Sequence, residues 1–225
     1  MIFRNMSSCL KGVLLAILIL IGGGVQFGAA KAEAEGRAYF AGGCFWCVES
    51  DFERLRGVYE VISGYTGGDT ENPAYKAIKA GGTGHYEAVE VQYHPGQVSY
   101  DQLLNAFFRS IDPTDAEGQF CDRGDAYRTA VFVTNATERR AAERARRNAE
   151  RELGQKIVTP ILDANTFFPA ESYHQDFYKQ TAIIMTRRGP RTKANAYKFY
   201  RKGCGRDARV IELWGEKALF AKANS

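Results

Sequence analysis

The 225-residue chain has no evident internal repeat, only one long apolar run, and five cysteines. Without a repeat it cannot be a stack of small units, so its core must be built by non-identical elements of one domain. With no second apolar run there is no stop-transfer segment after the first. Five cysteines are too few to staple so long a chain, so any that matter are placed for chemistry as much as for support. A strong excess of one charge is lacking too. The formal net charge is +4, and residues 1–32 carry three of the cations, Arg4, Lys11 and Lys31, and no acid, which leaves +1 for the remainder. A near-neutral domain has no basic surplus with which to neutralise phosphates, and this argues against a nucleic-acid partner.

What is present begins with an export pattern. Arg4 and Lys11 precede the apolar run Val13 to Ile21, then Gly22 to Gly24, then the small residues around Ala30, Lys31 and Ala32. A basic start, a short apolar core and an A-x-A-like end describe a secretory signal cut after Ala32. A retained membrane anchor is the alternative, because Val13 to Ala30 has no charge and is long enough to span a bilayer. The expected organisation is a signal over 1–32 and one domain over 33–225, with its core at about 37–214. That domain would be exported, in a periplasm-like compartment where Cys44, Cys47, Cys121 and Cys204 meet oxidising conditions.

Along that domain, Arg37 to Gly43 reads as an extended run ending in two glycines, followed by a helix over Cys44 to Arg56 with Phe45, Val48, Phe52 and Leu55 near helical spacing. Val58 to Ser63 is a short strand. Gly64 to Thr83 reads as a glycine-rich loop with a brief helix around Tyr75 to Lys79. His85 to Tyr93 alternates, with Glu87, Val89, Val91 and Tyr93 on the more apolar face. A helix starting at Ser99, a second loop over Thr114 to Asp125, a strand over Arg128 to Thr134, a helix over Glu138 to Leu153 capped by Thr137, and a strand over Lys156 to Leu162 follow. The end from Arg201 is basic and glycine-punctuated, and no structure is assigned to its last ten residues. Two strand-helix-strand units predict a two-layer α/β sandwich of the ferredoxin-like plait type, with an antiparallel or mixed sheet and two long loops at the site.

The chemistry centres on Cys44. Gly42 and Gly43 turn the chain so that this thiol stands where a strand becomes a helix, and a helix N-terminus favours a thiolate. A lone cysteine would be read as a small buried hydrophobe, but Cys47 follows at C-x-x-C spacing. Zinc binding needs a second closely spaced pair, and Cys121 and Cys204 stand alone, so no metal is expected. A thioredoxin-like dithiol remains open, although Phe45 and Trp46 between the cysteines suit a small apolar pocket better than a protein-docking surface. On the alternating strand, Glu87 is either a desolvated acid beside Val89 and Val91 or a strand-end carboxylate in water; the pattern leaves both open.

Gly43-Cys44-Phe45-Trp46-Cys47-Val48-Glu49 resembles the signature of peptide methionine sulfoxide reductases of the A type. The resemblance continues through Gly64-Tyr65-Thr66-Gly67-Gly68, Asn72-Pro73-Ala74-Tyr75, Gly84-His85-Tyr86-Glu87, Asp112-Pro113-Thr114, Asp122, Tyr127-Arg128 and Tyr173-His174-Gln175. It implies reduction of methionine S-sulfoxide, free or in proteins. Cys44 would attack the sulfur and become a sulfenic acid, and Glu87 would protonate the oxygen. Tyr75 and Tyr127 would hold that oxygen, Phe45 and Trp46 would take the methyl group, and Asp122 would orient the polar side; His174 is read as structural. A disulfide oxidoreductase and a non-enzymatic redox-sensitive domain are the rival readings.

The sulfenic acid must be resolved by a second thiol. Position 47 is often glycine in that family, so Cys47 is a resolving candidate inside the motif, and Cys204, flanked by Gly203 and Gly205, is its rival or a later relay; Cys121 is a weaker choice. The scheme needs no cofactor. It needs a thioredoxin or thioredoxin-like dithiol as reductant, and a monomer suffices.

Overall fold

The computed structural model describes residues 35–221; residues 1–32, read above as an export signal or anchor, lie outside them. In chain order the strands are β1 (Gly36–Gly42), β2 (Val58–Thr66), β3 (Tyr86–Tyr93), β4 (Gly118–Gln119), β5 (Asp122–Arg123), β6 (Thr129–Val133), β7 (Ile161–Asp163), β8 (Phe168–Pro169), β9 (Ile183–Thr186) and β10 (Gly189–Thr192). The helices are α1 (Phe45–Phe52), α2 (Tyr75–Ala80), α3 (Tyr100–Phe108), α4 (Ala136–Leu153), α5 (Lys193–Gly203) and α6 (Arg206–Trp214). Six strands form one mixed sheet in the order β7-β6-β1-β3-β2-β8. Its pairings are antiparallel except β6 with β7. The fold is α/β.

Alternation of side chains sets the two faces. Phe40, Val61, Val89, Val91, Val131 and Val133 face α1, α3, α4 and α6 in the main core. There Phe40 stacks on Phe52 at 5.1 Å and on Phe107 at 4.9 Å, and truncating so buried a ring to alanine costs about 3–5 kcal/mol. The opposite face is also covered. Tyr86, Ala88, Ala41 and Phe132 form a smaller cluster with Tyr39 and Phe167, so β3 is buried on both sides along most of its length. On that second face Glu90 is held by Tyr39 Oη and Gln92 Nε2, each donating at 2.8 Å.

Several boundaries differ from the sequence reading. β2 runs on through Gly64 to Thr66, because Gly64 signals a close approach and not a loop. A Cβ there would lie 2.4 Å from Phe167 Cζ and 2.5 Å from the Phe168 carbonyl oxygen. α1 stops at Phe52, short of Arg56. The cap of α4 is Asn135, whose side chain accepts from the amides of Thr137 and Glu138; Thr137 lies inside the helix. The expected strand at Lys156 shrinks to Ile161–Asp163, since the preceding residues approach Pro113 and Val131 by single backbone bonds. The second loop contains the β4–β5 hairpin. Its return is tied by Gln119, which exchanges hydrogen bonds with the backbone of Asp112 at 2.8 and 2.9 Å. At α3 the expectation matches, with Ser99 and Gln102 closing a reciprocal capping box.

The largest departure is at the C-terminus. The basic segment folds as α5, a left-handed Gly205 at φ 71°, and α6. Buried charge locks it in place. Asp51 of α1 accepts from Arg201 Nη1 at 2.8 Å, Arg201 also holds Asp207, and Arg206 donates to the carbonyls of Gly42 and Ser110 at 3.1 and 3.0 Å.

Candidate active site

Phe40 of β1 pairs with Val89 of β3. Two residues further along each antiparallel strand, Gly42 and Glu87 reach the same end of the sheet, and the chain leaves β1 there to start α1. Gly43 has φ 80°, and a Cβ on it would meet Gln119 Cβ at 2.5 Å. That position therefore excludes other residues on two grounds. Cys44 is the N-cap of α1. The first free amide of the helix, Phe45 N, donates to Glu87 Oε2 at 3.1 Å, which draws the carboxyl to the foot of the helix beside Cys44.

A cavity of about 290 Å³ opens at this point, lined by Cys44, Phe45, Trp46, Tyr75, Glu87, Asp122 and Tyr127 together with Lys79 and Tyr200. Every residue that the sequence reading put in catalytic or substrate-binding roles is thus in one place. Glu87 is 2% exposed, which decides between its two readings. Burial, aided by the neighbouring Asp122 and Cys47, pushes its carboxyl up to about 8, against the opposing effect of the Phe45 amide. A carboxyl in that range is largely protonated at neutral pH and able to donate. The Tyr127 hydroxyl faces both Glu87 and Tyr75 and opposes the rise of each. Burial pushes Tyr75 up to about 12 and raises Tyr127 as well, so both stay neutral donors. Asp122 is raised by burial and held by a hydrogen bond from the Tyr200 hydroxyl.

The walls are fixed by residues outside the cavity. Glu171 accepts from the amide of Tyr75 and the hydroxyl of Tyr65, both at 2.9 Å, and so pins the start of α2. Glu49 accepts from Ser63 Oγ at 3.0 Å and from the Asp176 amide at 2.7 Å, tying α1 to the 173–179 segment. That segment supplies Phe177, stacked on Trp46 at 3.7 Å and nearly parallel. His174 packs against Phe45, Trp46 and Tyr75. Burial lowers it to about 4, and both ring nitrogens lack partners among the described residues. It is a neutral ring in the aromatic wall.

The cysteines divide into two pairs. Cys44 and Cys47 are free and buried, and Cys47 N donates to the Cys44 carbonyl at 3.0 Å across one helical turn. Cys121 and Cys204 form a disulfide with a Cα–Cα distance of 4.9 Å. Cys204 therefore sits at the end of α5, bonded to Cys121, and not on a free tail. The expectation that the helix terminus makes Cys44 the thiolate also changes. A hydrogen bond to Cys47, then burial, push the Cys44 thiol up. The same bond, with the guanidinium groups of Arg206 and Arg201, lowers Cys47 to about 7. The helix's first amide is spent on Glu87, so the pair holds its charge on the arginine side.

The sequence reading missed Tyr200, Lys79, Glu171 and the two buried arginines. Tyr200 alone left a usable trace: Ala196, Tyr200 and Cys204 recur at the four-residue spacing of one helix face.

A family model described as peptide methionine sulfoxide reductase matches residues 36–203. The peptide methionine sulfoxide reductase MsrA 2 of Rhizobium meliloti (strain 1021) is 48% identical over 189 residues, covering 84% of this chain and 88% of that protein. The MsrA 2 of Caulobacter vibrioides is 46% identical over 204 residues, covering 90% and 97%. Among solved structures, methionine sulfoxide reductase A of Corynebacterium diphtheriae superposes with a TM-score of 0.59 at 33% identity, covering 64% of this chain and 73% of that one. The span of the family match contains every residue that lines the cavity, and this chain belongs to the peptide methionine sulfoxide reductase family.

Proposed function

We propose that the enzyme reduces methionine S-sulfoxide, free and in exported proteins, with Cys44 as nucleophile and Glu87 as proton donor. The observation that carries this reading is a sulfur nucleophile and a buried carboxyl raised to about 8 in one cavity, since sulfoxide oxygen leaves only once protonated. Attack by the Cys44 sulfur on the sulfoxide sulfur, its own proton passing to Cys47 and another from Glu87 to the oxygen, moves the hydroxyl to Cys44 and releases the thioether. Tyr75 and Tyr127 donate to the oxygen as it gains charge, and Phe45 and Trp46 receive the methyl group. The Cys47 thiol then displaces the hydroxyl of the sulfenic acid as water, and two thiols become the Cys44–Cys47 disulfide.

An external thioredoxin-like dithiol restores both thiols, directly or by way of Cys204 and Cys121. The run from Val13 to Ile21 supports export and the oxidising compartment that goes with it. The central order β6-β1-β3-β2 with α1 and α3 as connections supports a ferredoxin-like plait as the framework. The test is turnover of peptides carrying separated S and R sulfoxides, with dithiothreitol, by the protein and by Cys44→Ser. Reduction of the S epimer alone, lost by at least about 10³-fold in the variant, is expected; reduction by Cys44→Ser at the parent rate would sink the assignment.

A further inference from the structure

Beside the Cys44 cavity lies a second, larger and mainly apolar groove of about 470 Å³. The β9–β10 hairpin and α5 form its walls, and Phe177, Ile184 and Phe199 give it an apolar lining. Trp46 and Tyr200 belong to both spaces, so the groove leads directly from the catalytic rim. Three cations edge it: Arg187, Arg188 and Arg191. The guanidinium groups of Arg188 and Arg191 lie over the Phe199 ring at 4.6 and 5.6 Å. No carboxylate among the described residues is ion-paired with any of the three, and Arg191 Nε is buried without a hydrogen-bond partner.

We propose that this groove binds the polypeptide flanking an oxidised methionine and selects flanks that are acidic. The proposal rests on the sulfoxide reductase reading and names the substrate class of that same site. Cys44 is 6% exposed, so only the sulfoxide side chain can enter its cavity, and the peptide backbone must pass over the rim formed by Trp46 and Tyr200. On the groove side it meets an apolar floor with unpaired guanidinium groups above it. Aspartate or glutamate beside the methionine would complete those arginines with bidentate, charge-assisted bonds, while aliphatic stems would lie on Phe199 and Ile184. Charge at such a rim acts mainly through encounter and specificity. A protein reductant reaching for Cys121 is the competing occupant, but it would leave the continuity with the Cys44 cavity unused.

The experiment compares short peptides bearing one methionine S-sulfoxide among aspartates, serines or lysines, with dithiothreitol as reductant so that no protein reductant is present. The expected kcat/KM ratio of aspartate to lysine peptide is about tenfold at low salt, shrinking as ionic strength rises. Arg187→Glu/Arg188→Glu, two exposed positions, should invert the ratio, and Arg187→Lys/Arg188→Lys should keep its direction. A labelled aspartate peptide with unoxidised methionine should bind the protein by anisotropy and bind the glutamate variant at least about fivefold more weakly. That arm needs no turnover, so failure of the reductase reading would show as intact binding without reduction. An unchanged ratio in the glutamate variant, equal binding by both proteins, or a charge effect that arises only when thioredoxin replaces dithiothreitol would each overturn the proposal.

Discussion

Cys44 and Cys47 lie on one turn of α1, buried and free, whereas Cys121 and Cys204 are 83 residues apart in sequence and joined near the surface. The two pairs share a neighbour. Tyr200 lines the Cys44 cavity and bonds Asp122, while its hydroxyl lies 4.0 Å from Cys121 Sγ. What separates them is surroundings. The helical pair has a protonated carboxyl on one side and two guanidinium groups on the other. The distant pair clamps α5 against the second loop. A short spacing serves chemistry because one helical turn keeps two sulfurs in reach without moving the chain; a long spacing serves support because it closes a large loop.

The widest gap between the pairs is the acid beside one of them. Glu87→Gln should lower kcat/KM by about 10²–10³-fold. In the parent enzyme the rate should fall as pH rises through about 8, since Glu87 must be protonated to donate, and fall again below about 7, where Cys47 is protonated and no longer accepts the Cys44 proton; the variant should lack the alkaline limb in a pH–rate profile. Next comes support. Cys204→Ser opens a loop of 83 residues and should cost roughly 4 kcal/mol of unfolding free energy on the chain-entropy argument, read by denaturant titration. Cys47→Ser should cost no more than about 1–2 kcal/mol; equal losses would erase the distinction.

Recycling should show the reverse order. With a protein dithiol as reductant, Cys47→Ser should lose about 100-fold in sustained turnover. One equivalent of sulfoxide should leave its Cys44 as a sulfenic acid that dimedone traps. Cys204→Ser should still form the Cys44–Cys47 disulfide, identified by peptide mapping, and a disulfide missing there would transfer the resolving role to the distant pair. The smallest effect is expected where the pairs meet. Tyr200→Phe removes one hydrogen bond to Asp122 and should reduce kcat/KM about two- to fivefold.

How much was legible follows from how local each feature is. Cys44, Phe45, Trp46 and Cys47 form a contiguous motif, and the alternation around Glu87 already assigned it to the face of Val89 and Val91. Tyr75, in the first loop, and Tyr127, just past the second, were readable as family positions, although nothing local told which wall each would form. Gly64 misled because a glycine demanded by the nearby Phe167 ring looks the same in sequence as one demanded by a turn. The α4 cap was misplaced by two residues because Asn135 and Thr137 are both good capping types, and only the path of the chain leaving β6 decides between them. The C-terminal helices went unassigned because the segment from Arg201 reads only as basic and glycine-punctuated until Asp51, 150 residues away, is seen to receive Arg201, and the Gly42 and Ser110 carbonyls to receive Arg206.

The sequence alone determined the pair Cys44 and Cys47, one turn apart, and the turn that presents it, because these depend on residues adjacent in the chain. The state of Glu87, the proton balance between Cys44 and Cys47, and the pairing of Cys121 with Cys204 were decided by tertiary structure. Desolvation, the field of distant guanidinium groups and the meeting of two remote sulfurs all depend on which segments lie together in space, and that arrangement exists only once the sheet and its helices have closed.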